Sequence, residues 1–424
     1  MPKSILIVFT SATLCVSPAK AQQEITPTGR VSRNVVIRAD PSTTTQALGA
    51  LLPGETIVSD EDVSGWYRVV LPNGLRGWVS KIWTDPTTAL SVGPAQGVSR
   101  MHVIDVGTGL AVFIEGPGYA MLFDGGTQDD QATGDDNRIV AYLKAVRPDL
   151  RVIDHLFLSH PHEDHQQLLP DIFDRFEVQN VWDSGRVQQT TGYCKFLRKT
   201  AAERGAVYHA AVPDAQPHIV TFHAGSCAGT VRIDRVSAMT ASPVSLGAGM
   251  SFSVLNRDSR PHSDPNGNSL VVRLDLGSRR LLLTGDAEGG EREPPGALPS
   301  VKSIEGRLVR EQPADLRVDV LVVGHHGGET SSRRAFLDEV RASTFIISSG
   351  PHKYSGVALP DQTIWNELKL RGRVMSTTEG DTECPTAASK IGKDRDNRPG
   401  GCTNIVVTVG PGNQLNASYR TQGD

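Results

Sequence analysis

The sequence predicts an α+β fold in which a small all-β barrel precedes a larger domain of mixed strands and helices. Two observations lead to this prediction. Residues 28–84 consist of short apolar segments separated by Gly, Pro and Asn-Gly turns, a pattern typical of a small barrel. After residue 99, longer apolar strands alternate with segments of helical periodicity, and several strands end in histidine or aspartate. We therefore expect a barrel at 28–84, a Pro-, Thr- and Ser-rich linker at 85–98 and a second domain at 99–424.

Residues 1–21 have the layout of a secretory signal peptide. Lys3 supplies the positive start, and the apolar core at 5–16 is too short to span a bilayer. The sequence Ala-Lys-Ala at 19–21 is typical of a cleavage site. No later segment is long and apolar enough to predict a transmembrane helix. We therefore expect a secreted or periplasmic protein.

The overall charge does not indicate a protein that binds nucleic acid by electrostatic attraction. Charged residues make up 21% of the chain, and the net charge is −4. A nucleic-acid substrate is still compatible with this composition, because bound metal ions offset phosphate charge locally.

Four cysteines follow the predicted signal peptide, at positions 194, 227, 384 and 402. An even number in an exported chain favours disulfides, and no Cys-x-x-Cys spacing supports a thiolate metal site. Three pairings are open. Proximity in the sequence favours Cys194 with Cys227 and Cys384 with Cys402.

The first segment carries a recognisable order of short motifs. An Arg-x-x-Pro-Ser start at 38–42 precedes the strand Gly-Trp-Tyr-Arg-Val-Val at 65–70, and Gly-Trp-Val at 77–79 follows an Asn-Gly turn. This order resembles a bacterial SH3 domain. The resemblance implies a peptide partner, often cell-wall peptidoglycan. We interpret Trp66 and Trp78 as core residues of the barrel, so no binding residues are assigned here.

The densest group of chemically active side chains lies in the second domain. The apolar run 152–158 predicts a buried strand, and Ser-His-Pro-His-Glu-Asp-His follows at 159–165. Pro161 has no N–H to donate, so the strand ladder cannot continue through this turn. The alternative interpretation is a polar surface turn whose histidines are satisfied by ordinary hydrogen bonds.

Four residues of this turn form the expected ligand set. His160 and His162 can face one point from the end of the strand, and Asp164 and His165 can face a second point from the next helix. These residues resemble the His-x-His-x-Asp-His signature of the metallo-β-lactamase superfamily. The resemblance implies an αββα sandwich with a binuclear centre. The nitrogen and oxygen ligands favour two Zn²⁺ ions, with Mn²⁺ or iron as alternatives.

Two later strands deliver further candidates. Asp286 ends the strand Leu-Leu-Leu-Thr-Gly-Asp, and a buried aspartate costs several kcal/mol unless it is paired or bound to metal. The resemblance implies that Asp286 bridges the two metals; a helix N-cap is the alternative. After the strand 318–323 comes Gly-His-His-Gly. We expect His325 to complete the second metal site, with His326 either as a ligand or as a catalytic group beside it.

The resemblance extends to the branch that contains the extracellular domain of the ComEC channel and secreted phosphorylcholine esterase. The chain departs from that branch where Leu110 replaces an aspartate, where Gln166 and Gln167 replace glycines, and near Val357, where the branch has a histidine. Either this position is lost, or His352 does its work from a shifted loop. His262 is another candidate for the missing ligand, and the sequence does not decide between them.

Together these features predict a secreted binuclear metal hydrolase that cleaves a phosphodiester, either in nucleic acid or in a choline-phosphate-like ester. The nucleophile is a metal-activated hydroxide, which Asp164 is expected to orient. The candidates for protonating the leaving group or stabilising negative charge are His326, His352, Lys353 and Tyr354. The alternatives are an amide or lactone hydrolase and a wall-binding protein with weakened catalysis. The sequence leaves the substrate, the metal, the SH3 ligand and the oligomeric state open.

Overall fold

The computed structural model describes residues 23–28, 31, 33–53, 55–63, 65–71, 75–86, 97–212, 214–223, 225–247, 249–378, 390–391 and 399–420. The predicted signal peptide and most of the predicted linker lie outside these residues. The chain divides into two compact units, Met1–Leu90 and Ser91–Asp424. Within the described ranges, no helix combines the length and apolarity needed to cross a membrane.

The first unit is a single antiparallel sheet of seven strands in the order β3-β2-β6-β5-β4-β1-β7. The strands are β1 (Gln23–Pro27), β2 (Val35–Arg38), β3 (Ala47–Leu51), β4 (Ile57–Val63), β5 (Trp66–Val70), β6 (Arg76–Ser80) and β7 (Thr84–Pro86). The sheet thus begins ahead of residue 28. The all-β character expected for this segment is confirmed.

Trp66 and Trp78 do not lie in the core of this unit. Tyr67, Val69 and Val79 point into the apolar cluster, and successive side chains of a strand alternate between the two faces of a sheet. Trp66 and Trp78 therefore fall on the other face, where both are half-buried. Their interpretation as core residues is wrong.

The second unit begins with strands and helices that lead to the predicted metal motif and beyond it. The strands are β8 (Ser99–Val103), β9 (Val112–Gly116), β10 (Tyr119–Phe123), β11 (Val152–Leu158), β12 (Glu177–Asp183), β13 (Val207–Ala210), β14 (His218–Phe222), β15 (Gly229–Ile233) and β16 (Val236–Ala238). The helices are α1 (Arg138–Val146), α2 (Glu163–Gln166), α3 (Leu169–Arg175) and α4 (Thr191–Ala202).

The remaining elements of the second unit build its other half. The strands are β17 (Val244–Gly247), β18 (Met250–Asn256), β19 (Val271–Leu276), β20 (Arg279–Leu283), β21 (Val320–Val322), β22 (Thr344–Ile347), β23 (Lys353–Tyr354), β24 (Val357–Ala358), β25 (Arg373–Ser376), β26 (Asn404–Val409) and β27 (Leu415–Arg420). The helices are α5 (Ile304–Glu311), α6 (Pro313–Leu316), α7 (Arg334–Val340) and α8 (Gln362–Lys369).

Two large sheets pack face to face. The first has the order β16-β13-β12-β11-β10-β9-β8-β26-β27, and the second has the order β17-β18-β19-β20-β21-β22-β25. One apolar cluster lies between them and includes Phe157, Val272 and Ile346. Two further clusters pack helices on the outer faces: α1, α3 and α4 on the first sheet, and α5 to α8 on the second. This αββα layering confirms the fold class that the resemblance implies.

The strand directions bring the motif-bearing loops together. Strands β10, β11 and β12 are parallel, as are β20, β21 and β22, so in each sheet their carboxyl ends meet at one edge. A hydrogen bond shows that the two edges approach each other closely: the N–H of Leu270 donates to the carbonyl of Ser159 at 2.9 Å. Gly285 has a φ of +51°, and a Cβ there would lie 2.7 Å from Ser159. Glycine at this position therefore lets the loops converge.

Candidate metal centre

The first of two candidate ligand groups joins the end of β11 to the end of β20. Nε2 of His160 lies 3.0 Å from Nδ1 of His162 and 3.6 Å from Oδ2 of Asp286. Each of the three side chains offers one ligand atom, and these atoms all lie within 4.8 Å of one another. His160 and Asp286 are buried, whereas His162 is half-buried and faces a cleft.

The second group contains Asp164, His165 and His326, whose ligand atoms also lie within 4.8 Å of one another. Nε2 of His326 is 3.4 Å from Oδ2 of Asp164. Oδ1 of Asp286 lies 3.2 Å from Nε2 of His165 and 3.7 Å from Nε2 of His326. Asp286 therefore lies between the two groups, where a bridging carboxylate would be expected.

The two histidines of the Gly-His-His-Gly segment, His325 and His326, have different surroundings. His326 joins the second group, whereas Nδ1 of His325 lies 3.0 Å from a carboxylate oxygen of Glu288 and also contacts Thr330. Nε2 of His325 stays 3.9 Å from Asp286. Both histidines have positive φ, 47° and 53°, a strained conformation that is retained mainly at functional sites. The structure favours His326 over His325 in this group.

The two histidines considered as replacements for a missing ligand lie outside both groups. His352 is exposed, and its ring packs 5.2 Å from that of Tyr354. His262 contacts Asp258 instead, with Nε2 3.1 Å from a carboxylate oxygen. At the position where the ComEC-like branch has an aspartate, Leu110 is buried and packs in the core between the sheets.

Each buried imidazole is held through Nδ1, which leaves Nε2 directed at the centre. Nδ1 of His165 lies 2.8 Å from Asp124, and Nδ1 of His326 lies 2.8 Å from the carbonyl oxygen of Ser348. Nδ1 of His160 lies 3.0 Å from the hydroxyl of Ser159. Partners of this kind fix the tautomer and orientation of metal-binding histidines.

Asp124 is a supporting residue that the sequence reasoning missed. Its two carboxylate oxygens accept hydrogen bonds from the backbone N–H and the hydroxyl of Ser159, in addition to the contact with His165. Its φ is +60°, and it follows β10 directly. The available signal was the Asp-Gly-Gly turn at this strand end, which indicated a close backbone approach but not a contact with a motif histidine.

Tyr354 also reaches the centre. Its hydroxyl donates a short hydrogen bond to Oδ2 of Asp164, and its ring is nearly parallel to that of His326, with centroids 6.3 Å apart. Because Tyr354 also lines the cleft, it stands between a candidate ligand and the space open to a substrate.

The electrostatics of the centre favour a cation. Burial alone would raise the pKa of Asp286, but His165, His326 and His325 hold it well below its ordinary value. Burial would lower the pKa of His165, yet the charges of Asp286 and Asp124 raise it well above the ordinary value. Two carboxylates thus stabilise positive charge at the position of the His165 ring.

The donor set fits divalent metal ions. Nε2 of His165, Nε2 of His326 and Oδ1 of Asp286 are buried and make no hydrogen bond of normal geometry in the described structure. Unsatisfied buried polar atoms are costly and rare, and three around one point call for a further partner. Imidazole nitrogen and carboxylate oxygen are ligands of zinc and related metals.

The centre opens into a cleft with a volume of about 1640 Å³. One wall is formed by α4 and by the connection between β14 and β15, which includes Cys227. A disulfide joins Cys194 of α4 to Cys227, with Cα atoms 6.1 Å apart, as the sequence proximity predicted. Cys384 lies outside the described residues.

Comparisons with known proteins agree with this architecture. Residues 104–352 match the family model for the metallo-beta-lactamase superfamily, and residues 33–83 match the bacterial SH3 domain. Competence protein ComA of Neisseria gonorrhoeae is 26% identical over 313 residues, which cover 73% of this chain and 36% of ComA. Recombination protein 2 of Haemophilus influenzae is 25% identical over 251 residues, which cover 59% of this chain and 24% of the relative. The match thus spans about a third or less of each relative.

The metallo-beta-lactamase fold protein YhfI from Bacillus subtilis is 13% identical, with 66% of this chain and 96% of that chain covered and a TM-score of 0.35.

Proposed function

The chain belongs to the metallo-beta-lactamase superfamily and carries a bacterial SH3 domain, and from this premise we propose that it is an exported binuclear metal hydrolase that cleaves phosphodiesters. The observation that carries the proposal is the convergence of three buried, unsatisfied ligand atoms, on His165, His326 and Asp286. They come from three separate strand ends of the two sheets.

The proposal assigns the ligands to two positions. His160 and His162 would hold one ion, and Asp164, His165 and His326 the other, with Asp286 shared. Two divalent ions, for which we propose Zn²⁺, would supply a water of lowered pKa and polarise the scissile group. Of the two roles that the sequence left open for His326, the proposal takes the ligand role.

Other residues of the chain hold the candidate ligands in position. Asp124 fixes the ring of His165, and the carbonyl of Ser348 fixes the ring of His326. The hydroxyl of Tyr354 restrains the carboxylate of Asp164 at the wall of the cleft. In the reaction, the water oxygen forms one P–O bond, the P–O bond to the leaving alcohol breaks, and one proton passes to that alcohol.

We propose that the SH3 unit retains the enzyme at the cell wall by binding a peptide or peptidoglycan. Ile82 and Trp83 of this unit are large apolar side chains that remain exposed, at 64% and 47%. Export is supported by the disulfide between Cys194 and Cys227, since such bonds persist mainly in oxidising compartments.

Metal analysis of the purified protein, combined with four substrates, tests the proposal. The substrates are bis(p-nitrophenyl) phosphate, p-nitrophenyl phosphorylcholine, single-stranded DNA and a chromogenic cephalosporin. We expect two metal equivalents per chain and turnover of at least one phosphodiester. Turnover of the cephalosporin alone would replace the phosphodiesterase with an amide hydrolase, and a protein that binds no divalent metal would refute both.

A further inference from the structure

The basic side chains that line the cleft come from one helix. Among the described lining residues, the only Lys and Arg side chains are Lys195, Arg198 and Lys199 of α4. Positions three and four residues apart lie on the same face of a helix, so the three cations form one row. Lys195 and Arg198 are exposed, and Lys199 is half-buried.

The row leads away from the metal centre. At the start of α4, a Cβ on Gly192 would lie 3.1 Å from Nε2 of Gln166, the residue that follows His165. Each residue advances a helix by 1.5 Å, so Lys199 lies about 10 Å further along the axis than Gly192. A ligand that reached from the metal centre along α4 would therefore pass the three cations in turn.

Two of the three cations have no carboxylate partner in the described structure. Lys195 makes no hydrogen bond or ion pair there, and Arg198 donates to the carbonyl oxygens of Cys227 and Ala228. Lys199 pairs with Asp174 on α3. Because backbone carbonyls carry no net charge, Lys195 and Arg198 keep their positive charge on this wall, whereas the carboxylates among the described lining residues belong to other elements.

The described lining of the cleft offers no platform for stacking bases. Apart from histidines, Tyr354 is the only aromatic side chain among the described lining residues. Proteins that bind single strands through their bases use several aromatic side chains for stacking. The row can therefore recognise the charges of a polymer backbone, but not the groups attached to it.

We propose that the wall formed by Lys195, Arg198 and Lys199 binds a linear chain of phosphodiesters by its backbone charge, with one linkage at the metal centre. This deepens the proposed function and rests on it. Single-stranded nucleic acid and poly(glycerol phosphate) share this chemistry, and the absence of a stacking platform predicts that both bind.

Fluorescence anisotropy with a labelled 12-residue oligothymidylate tests the surface independently of turnover. For the full-length Lys195→Ala/Lys199→Ala variant, we expect binding about tenfold weaker at 0.1 M salt. For a single strand, each phosphate contact contributes about −0.7 to the slope of log affinity against log salt concentration. The loss of two contacts should therefore make this slope less steep by about 1.4 in the double variant. The matched control is Lys144→Ala on α1, since Lys144 pairs with Asp135 and does not line the cleft.

Competition and turnover complete the test. An abasic oligomer and poly(glycerol phosphate) should displace the label within about threefold of oligothymidylate per phosphate, and displacement by base-bearing strands alone would overturn backbone recognition. Equal binding by the double variant and the wild type, or no binding by the wild type, would also overturn the inference.

If the polymers bind but bis(p-nitrophenyl) phosphate and oligothymidylate are not hydrolysed, the proposed function fails while the binding surface stands. If the small diester alone is bound and cleaved, the hydrolase stands and the surface does not.

Discussion

Oδ1 of Asp286 lies 3.2 Å from Nε2 of His165, and both atoms are buried without a hydrogen bond of normal geometry. The two residues come from opposite sheets of the sandwich, at the ends of β20 and β11. A buried carboxylate is expensive unless it is paired or bound to metal, and a shared divalent cation would offset that cost at Asp286. This contact between the sheets is the point on which the account of the metal centre depends.

The two adjacent histidines should differ in their effect on metal content. Replacing His326 by Ala removes a buried ligand of the second group, so we expect this variant to retain about one metal equivalent under conditions where the wild type holds two. His325→Ala should retain close to two, because His325 contacts Glu288 and Thr330 instead. Metal analysis after equilibrium dialysis measures both. Loss of metal from His325→Ala alone would reverse the assignment.

Asp124 should affect metal affinity without touching the metal. In Asp124→Asn, one acceptor oxygen becomes an NH2 donor and the negative charge is lost. The amide therefore cannot accept from Ser159 and from Nδ1–H of His165 as the carboxylate does, and the His165 ring is held less firmly. Removal of such a partner typically lowers metal affinity about 10–100-fold, which competition with a chelating dye would measure. The matched control is Asp258→Asn, which disturbs a buried aspartate–histidine contact with His262 outside the centre. Equal losses in the two variants would indicate general destabilisation instead.

Tyr354 and His352 lie two residues apart but should behave differently. Tyr354→Phe removes the donor to Asp164 while keeping the ring beside His326, so we expect kcat for a small diester to fall about 10–100-fold with metal content retained. His352→Ala should leave kcat within about twofold of the wild type, because that side chain is exposed. Steady-state kinetics on metal-loaded protein compares them. A large loss in His352→Ala would restore the catalytic role that the sequence suggested.

Two histidines away from the metal centre should make the second unit sensitive to acid. Burial lowers the pKa of His155 to about 3 and that of His209 to about 4. Nδ1 of His155 accepts a hydrogen bond from Trp182, whose indole stacks on the His209 ring with centroids 3.8 Å apart. Below pH 6.5, His155 and His209 therefore bind protons in the unfolded chain but stay neutral in the folded protein. The free energy of unfolding thus falls as pH falls towards 4.

Urea unfolding at pH 7 and pH 4.5 measures this effect. We expect His209→Gln to lose less stability between the two pH values than the wild type. His223→Gln, at an exposed position, should lose as much stability as the wild type. An identical acid response in all three proteins would place the sensitivity elsewhere in the chain.

The layered fold and most of the candidate site could be predicted from the sequence. The apolar character and spacing of the residues located the strands that lead to His160 and Asp286. In each sheet, neighbouring parallel strands bring their carboxyl ends to one edge. The structure brings together the four motif residues of 159–165 and Asp286 as the sequence suggested. The turn itself indicated the pairing of His160 with His162 and of Asp164 with His165, whereas the resemblance contributed the bridging role of Asp286.

Other features depended on backbone geometry that the residue pattern does not encode. The choice between His325 and His326 depends on two successive residues with positive φ. The exposure of His352 depends on the path of its loop. The half-buried faces of Trp66 and Trp78 depend on strand register, in which a shift of one residue exchanges the two faces of a sheet.

An anomalous difference map tests the metal centre most directly. Crystals of the protein as purified would be measured at the absorption edge that a fluorescence scan identifies. We expect two peaks on either side of the Asp286 carboxylate, one beside His160 and His162 and the other beside His165 and His326. A map with no peak at Asp286, or with its strongest peak at a separate site such as Asp258 and His262, would contradict it.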